Sequence, residues 1–233
     1  MSSTQQTIEE LFAANRILVG EGVIDGFGHL SARSPTQPDH YFMTRSNSGG
    51  PATEDDVLEL DADSNPVRSS GPRPGIERFI HGEIYRERPD VTAIVHTHAP
   101  ALIPFGVSTV PLRPLYHMCG FLAEGAPVFD IRKEHGMTNM LITDGKLGRA
   151  LAASLGPHAV VLMRGHGATV VGTSVPEAVY RAVYTTLNAQ LVPVAMQLGE
   201  PTYLHPAEAT LADELHHAVL FRPWEHWLKK HVA

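Results

Sequence analysis

Apolar residues near the start of the chain recur with the period of an α-helix. Four of them lie mainly at helical spacing, namely Ile8, Leu11, Phe12 and Leu18. Gly20 and Gly22 follow this run, and glycine disfavours helix because it loses more conformational freedom on folding than other residues. The pattern predicts an amphipathic helix at the N-terminus.

Short extended segments follow, separated by Pro, Gly, Asn and Asp. The apolar patterns predict β-strands at 29–33, 40–44, 57–60, 91–98, 159–163 and 168–171. Turn-forming residues predict a turn at 61–66 and a sharp turn at 164–167, between the last two strands.

Helical patterns recur between and after these strands. They predict helices at 77–87, 144–155, about 174–198 and 206–220. The first ends before Pro89, because proline disfavours the α conformation in the preceding residue. Ser174 and Glu177 have the spacing of a capping box, which favours a helix start there. We expect the segment after 220 to be an aromatic and basic tail, with Trp224, Trp227, Lys229 and Lys230.

The order of these elements indicates the fold class. Helices at both ends with many short strands between them predict a layered α/β/α architecture and not a repeated βαβ order. The 233 residues are 43% hydrophobic, which is enough for one substantial core. We therefore expect a single α/β domain over residues 1–233.

Charge and composition narrow the partners and the compartment. A net charge of -7 without a Lys/Arg-rich run argues against nucleic acid or an anionic membrane, which favours a small-molecule partner. No apolar run approaches the roughly 20 residues of a membrane span, and the N-terminus lacks signal-peptide features. The single cysteine, Cys119, fits a reducing compartment and is expected to be a buried apolar side chain. These features predict a cytoplasmic protein.

Histidine carries the clearest chemical signal. His96 and His98 lie two residues apart in a predicted strand, so both side chains point to the same face, with Cα atoms roughly 6.5 Å apart. Two imidazoles on one face can bind one metal ion. The pair alone is also compatible with two ordinary surface or core histidines, so a metal site needs a third ligand.

His166 is the candidate for that third ligand. It lies between two glycines directly after an apolar strand, where a tight turn is sterically allowed. Three neutral imidazoles would bind Zn²⁺ or Mn²⁺ and leave positions open for water or substrate, as expected of a catalytic site. Glu77 could complete the set, although position alone is equally typical of an exposed carboxylate at a helix start.

Together these motifs resemble the class II aldolase/adducin family. The matching residues are Glu-Arg-Phe at 77–79, Tyr85, Arg-Pro-Asp at 88–90, Ala-Ile-Val-His-Thr-His at 93–98 and Gly-His-Gly at 165–167. The similarity extends over nearly the whole chain, including Gly-His-Leu-Ser-Ala-Arg at 28–33. It implies an α/β/α fold around a mostly antiparallel sheet and a homotetramer with sites at subunit interfaces. It also implies one divalent metal ion per subunit at His96, His98 and His166, with Glu77 as the catalytic acid/base.

Departures from the family's sugar-phosphate aldolases indicate a different substrate. The family motifs that bind phosphate are replaced by Gly-His at 28–29, Thr-Arg-Ser-Asn at 44–47 and Gly-Ile-Glu at 75–77. Ile76 cannot donate a hydrogen bond to an oxyanion, which argues against a phosphorylated substrate. Arg45 and Arg164 have the forked guanidinium geometry that suits carboxylates, unless they are surface charges or structural pairs.

These departures, with the segment Tyr-His-Met-Cys-Gly-Phe-Leu at 116–122, resemble the branch that decarboxylates hydroxylated aromatic acids. We expect metal-dependent decarboxylation of 3-hydroxy-2-methylpyridine-4,5-dicarboxylate, ranked first, or of a dihydroxyphthalate-type acid. Glu77 and His117 are the candidate proton-transfer groups, although a loop histidine such as His117 is as often structural. Arg45, Arg164, His29 and Tyr116 are the candidate substrate-binding residues.

Two alternative functions remain open at this point. The first is an aldolase, epimerase or dehydratase that acts on an unphosphorylated sugar-like substrate through the same metal. The second is a non-catalytic interaction module like the head of adducin. The three histidines and Glu77 argue against the second, because an interaction module has no need of them.

Overall fold

A seven-stranded sheet forms the centre of the molecule. In this computed structural model the described residues are 3–44, 56–68 and 73–232. The strands are β1 (His29–Arg33), β2 (Tyr41–Thr44), β3 (Val57–Leu60), β4 (Ala93–Thr97), β5 (Val128–Phe129), β6 (Val160–Met163) and β7 (Gly167–Gly172). Their order is β3-β2-β1-β4-β7-β6-β5. Only the pair formed by β5 and β6 is parallel among the described strands, which confirms a mostly antiparallel sheet.

Helices cover both faces of this sheet. They are α1 (Ser3–Gly20), α2 (Arg78–Glu87), α3 (Ile103–Val107), α4 (Ile131–His135), α5 (Gly145–Leu155), α6 (Val175–Leu198), α7 (Pro206–Ala218) and α8 (Phe221–His231). Two short 3-10 helices lie at Pro100–Leu102 and His117–Leu122. None of the described helices combines the length and the hydrophobicity needed to cross a lipid bilayer.

Alternation along the strands separates two hydrophobic cores. Ala93 and Val95 of β4 join the core on one face, where α1 packs against α6 and α8. Ile94 lies between them in sequence and joins the core on the other face, where α2 packs against α5. This period of two is the ordinary geometry of a strand buried on both faces. The layered α/β/α prediction is confirmed.

Strand register places polar side chains on the face toward α2. His29 of β1 lies opposite His96 of β4, and His96 in turn lies opposite Thr169 of β7. Residues that are directly opposite in neighbouring strands share a face of the sheet. These three side chains therefore form a polar row that crosses three adjacent strands on the α2 face.

The predicted elements are present, with most ends shifted by one or two residues. Several short elements were not predicted, namely α3, α4, β5 and the two 3-10 helices. The main error concerns α8, which had been expected to be a tail. Pro223 lies within its first turn, where the missing N–H breaks no helical hydrogen bond. Trp227 is buried against Tyr184, and His231 and Lys230 both contact Glu21 at the end of α1.

The start of α6 differs in one detail from the predicted capping box. The Ser174 hydroxyl accepts a hydrogen bond from the Glu177 N–H, as expected. The Glu177 carboxylate, however, accepts from the N–H and the hydroxyl of Thr173 and not from the N–H of Ser174. It also forms an ion pair of 2.9 Å with Arg181. The buried Glu177 carboxylate thus connects the preceding turn, through Thr173, to Arg181 in the helix.

We expect Glu177→Gln to lower the free energy of unfolding by about 2–3 kcal/mol at neutral pH, because it leaves Arg181 without its charged partner. Burial alone would raise the pKa of Glu177. The charge of Arg181 and the hydrogen bonds from Thr173 outweigh burial, so the pKa lies below its ordinary value. The carboxylate's contribution is therefore present above the unfolded-state pKa of about 4.3 and is lost as pH falls through the lower folded-state value.

Urea unfolding of both proteins, followed by circular dichroism between neutral and acidic pH, measures this difference. The gap between wild type and variant should shrink as the solution is acidified. Exposed Glu124 offers a matched control, and Glu124→Gln should change stability by less than about 0.5 kcal/mol. A gap that stays constant down to strongly acidic pH would contradict the role of the Glu177 charge.

Candidate metal centre

Four side chains from separate parts of the chain converge at one end of β4. Glu77 immediately precedes α2, His96 lies in β4, His98 follows the end of β4, and His166 lies in the turn between β6 and β7. One ligand atom of each side chain lies within 4.8 Å of those of the other three. We call these four residues the His/Glu cluster.

The distances within the His/Glu cluster are short. The Nε2 atom of His98 lies 3.1 Å from Nε2 of His96 and 3.1 Å from Nε2 of His166. The Oε2 atom of Glu77 lies 3.4 Å from Nε2 of His166 and 3.8 Å from Nε2 of His96. Three imidazole nitrogens and one carboxylate oxygen thus face a common centre.

The outer nitrogens of two of these histidines contact acceptors that cannot donate. Nδ1 of His98 lies 3.4 Å from a carboxylate oxygen of Asp25. Nδ1 of His166 lies 3.1 Å from the backbone carbonyl oxygen of Met140. Both Nδ1 atoms must therefore carry the proton, which leaves the lone pair of each Nε2 directed at the centre.

His96 reaches the same state through a hydroxyl. Its Nδ1 lies 3.3 Å from Oγ1 of Thr169, and that hydroxyl is placed to donate its own proton to Sδ of Met163 at 3.6 Å. Oγ1 is then the acceptor for the His96 Nδ1–H. All three imidazoles present inward lone pairs, with outer partners of the kind that orient metal ligands. The donor set fits a divalent metal ion.

Glu77 is held at the edge of this centre by the backbone. Its Oε1 atom accepts a hydrogen bond of 2.9 Å from the N–H of Ile142, while Oε2 faces the histidines. Burial raises the pKa of Glu77, but a protonated His166 beside it and the hydrogen bond from the Ile142 N–H lower the pKa below its ordinary value. When Nε2 of His166 presents its lone pair to a metal ion, the Ile142 N–H is the donor that remains. The carboxylate is therefore positioned and ionised at neutral pH.

Glycines allow the close approach that brings His166 to β4. Gly165 has a φ of +66°, a left-handed conformation that favours glycine over other residues. A Cβ atom at Gly167 would overlap the carbonyl oxygen of Thr97 in β4. The Gly-His-Gly motif is thus a steric requirement of the turn.

Comparison with known proteins identifies the family of this chain. A family model described as the class II aldolase and adducin N-terminal domain matches residues 9–192. The chain belongs to this family. Its architecture is accordingly the class II aldolase fold, which the seven-stranded sheet and its two helical layers display.

Three individual similarities refine this class II aldolase assignment. Decarboxylase tropJ of Talaromyces stipitatus is 40% identical over 226 residues, covering 91% of this chain and 82% of that protein. A 3,4-dihydroxyphthalate decarboxylase of Arthrobacter keyseri is 30% identical over 190 residues, covering 75% and 73%. The crystal structure of an aldolase II superfamily protein from Pseudomonas syringae has a TM-score of 0.81 at 19% identity, covering 99% and 94%. The decarboxylase relatives identify this member as a carbon–carbon lyase of the carboxy-lyase type.

Two of the predicted substrate-binding residues lie next to the His/Glu cluster. The imidazole of His29 is buried with its centroid 4.9 Å from that of His96. Arg164 lines a small hollow together with His166, and its Nε donates to Asp130 at 2.9 Å. The structural pair that was considered for Arg164 therefore exists. Arg45 lies outside the described residues.

Tyr116, predicted to bind substrate, and His117, predicted to transfer a proton, lie in a different environment. Tyr116 precedes the 3-10 helix that begins at His117, and their rings contact those of Tyr184 and His216. His117 lines a cavity of about 540 Å³ between α6, α7 and α8. These ring contacts join both residues to side chains that line this cavity and not to the His/Glu cluster. Cys119, in the same 3-10 helix, is fully buried as expected.

The outer partners of the histidines were not predicted from the sequence. Thr169 could have been found, because the predicted strand at 168–171 follows a sharp turn and its side chains alternate. Asp25 lies in a loop far from His98 in sequence, and Met140 contributes only a backbone carbonyl. No side-chain pattern signals either of these last two contacts.

Proposed function

We propose that this protein is a metal-dependent decarboxylase of an ortho-hydroxy aromatic or heteroaromatic carboxylate or dicarboxylate. The observation that carries the proposal is the His/Glu cluster, with its three inward lone pairs and one carboxylate. The 40% sequence identity between this chain and a decarboxylase supports the reaction type. The preferred substrates are 3-hydroxy-2-methylpyridine-4,5-dicarboxylate and a dihydroxyphthalate-type acid.

The chemistry of such substrates suits this site. In 3,4-dihydroxyphthalate, a ring hydroxyl is adjacent to a carboxylate, so both oxygens can approach one centre. His96, His98 and His166 would hold the divalent ion, either Mn²⁺ or Zn²⁺. When bound, the ion supplies a Lewis acid that stabilises negative charge on the substrate oxygen. The breaking carbon–carbon bond leaves its electron pair on the ring carbon, which then needs a proton.

Glu77 is the proposed acid/base group that transfers this proton. Its Oε2 atom faces the histidines, while the Ile142 N–H fixes the other oxygen. Because this carboxylate is ionised, it would first take the proton of the substrate hydroxyl and then transfer that proton to the ring carbon as CO₂ leaves. Release of CO₂ with protonation of the ring balances the reaction without any oxidant or reductant.

Arginine and histidine side chains would bind the substrate carboxylates. Nε of Arg164 donates a hydrogen bond to Asp130. The guanidinium group has further N–H donors that suit a substrate carboxylate. Arg45 is proposed for the same role. His117 and Tyr116 would take part only if a neighbouring subunit of the proposed homotetramer presents them to this site. Cytoplasmic location remains a prediction.

The test is CO₂ release from protein loaded with Mn²⁺ or Zn²⁺. The two substrates are 3-hydroxy-2-methylpyridine-4,5-dicarboxylate and 3,4-dihydroxyphthalate, with phthalate as the matched control that lacks the hydroxyl. We expect release from at least one hydroxylated acid, no release from phthalate, and loss of release after chelation. Silence with both acids at full metal occupancy would contradict the proposal and favour an unphosphorylated sugar-like substrate.

A further inference from the structure

A line of buried polar groups leads away from the metal centre toward α2. Nδ1 of His29 lies 2.7 Å from Nε2 of His81, and Nδ1 of His81 lies 2.7 Å from Oγ of Ser31. Oγ of Ser31 lies 2.8 Å from the hydroxyl of Tyr85. All four residues are at most 5% exposed. Burying four polar side chains is costly unless their hydrogen bonds are complete, so the direction of each bond can be worked out.

The direction begins at Tyr85. Within the described part of the chain, Oγ of Ser31 is the one hydrogen-bond partner of the Tyr85 hydroxyl, so the phenol proton must point to it. Ser31 then donates its own proton to Nδ1 of His81. Any other arrangement leaves a buried hydroxyl proton without an acceptor. Nδ1 of His81 is therefore an acceptor.

The same direction of hydrogen-bond donation continues from Ser31 through His81 to His29. A neutral imidazole with an unprotonated Nδ1 carries its proton on Nε2. His81 therefore donates from Nε2 to Nδ1 of His29, and His29 in turn carries its proton on Nε2. Burial lowers the pKa of His81 well below its ordinary value, which is consistent with a neutral ring at this position.

His29 is thus the opposite tautomer of the cluster histidines beside it. His96, His98 and His166 keep their protons on Nδ1 and present lone pairs, whereas His29 presents an N–H. His29 thus packs against His96 without belonging to the His/Glu cluster. An N–H donor in this position is complementary to an anionic oxygen.

We propose that Tyr85, Ser31 and His81 are positioning residues that hold His29 in its Nε2–H form, so that His29 binds a carboxylate oxygen of the substrate as a hydrogen-bond donor. The assignment of the bound group rests on the proposed decarboxylase function. The tautomer itself follows from the hydrogen-bond chain alone.

The direct test is long-range ¹H–¹⁵N NMR of metal-free protein labelled with ¹⁵N-histidine, which reports the protonated nitrogen of each ring. The signals of His29 are assigned by their loss in His29→Phe. We expect wild type to carry the His29 proton on Nε2. Ser31→Asp should reverse the chain, because a carboxylate only accepts, and so move the His29 proton to Nδ1.

Two further variants keep the test decisive. If Ser31→Asp does not fold, Ser31→Ala should show His29 with the proton shared between both nitrogens, because the directing hydroxyl is gone. Ser31→Thr keeps the hydroxyl and should restore the wild-type pattern. A His29 proton on Nδ1 in wild type, or on Nε2 in folded Ser31→Asp, would overturn the proposal.

Kinetics test the substrate contact separately. His29→Phe and Ser31→Asp should raise KM about 10- to 100-fold, the cost of a hydrogen bond to a charged group, while kcat changes less than about threefold. An unchanged KM would contradict the contact. Wild type that releases no CO₂ refutes the proposed function whatever the tautomer. Active wild type with the proton on Nδ1 of His29 refutes only the present inference.

Discussion

Replacing His98 with alanine will abolish stoichiometric metal binding and reduce CO₂ release to background. Nε2 of His98 lies 3.1 Å from the corresponding atoms of both His96 and His166, so it occupies the middle of the His/Glu cluster. Its removal leaves two imidazoles and one carboxylate that no longer surround a common centre. We expect an affinity loss larger than the roughly 10- to 100-fold that outer-shell changes cause.

Metal content after dialysis, measured by elemental analysis, and circular dichroism check this result. His98 is only partly buried, so the variant should fold like wild type. Asp25→Asn is the matched control, because it weakens the outer contact and keeps all four cluster residues. It should reduce metal affinity by only about 10- to 100-fold. A His98→Ala protein that retains one ion per chain at wild-type affinity would show that the metal lies elsewhere.

Part of this centre could be predicted from local patterns alone. Two histidines at a spacing of two in an apolar strand must share a face, and glycines around His166 indicate a tight turn. What the patterns do not show is that β7 pairs with β4, which brings the turn of His166 to the end of β4. That pairing is long-range, and the resemblance to the family supplied the three metal ligands but not the pairing.

Other features depend on tertiary contacts that leave no local signal. His81 has no distinctive spacing from His29, yet the two rings lie side by side because α2 packs over β1. The register of β1 against β4 was likewise needed to place His29 beside His96. A single sequence therefore predicts which residues carry chemistry better than it predicts the partners that set their protonation.

The C-terminal segment illustrates a different limit. Aromatic and basic residues after 220 had suggested a tail, but the tryptophans follow helical spacing and Trp227 packs into the core with Tyr184. Proline in a first turn is compatible with a helix. His117, a candidate proton-transfer group that was expected in a loop, lines the cavity next to this helix.

The second large effect is expected at Glu77. Glu77→Gln should retain the metal ion through the three histidines and lower kcat by about 10²–10⁴-fold, the usual contribution of general acid–base catalysis. The amide oxygen can still accept the Ile142 N–H that now holds Oε1, so the side chain should keep its position. What is lost is the ability to hold and transfer a proton.

Single-turnover CO₂ release at full metal occupancy, with metal content measured on the same samples, separates chemistry from metal loss. Glu83→Gln is the matched control, since Glu83 is a buried glutamate of the same region that pairs with Arg86 and Arg149. Its kcat should stay within about threefold of wild type. If Glu77→Gln behaves like Glu83→Gln, another group must protonate the ring; if it loses the ion instead, Glu77 acts chiefly as a ligand.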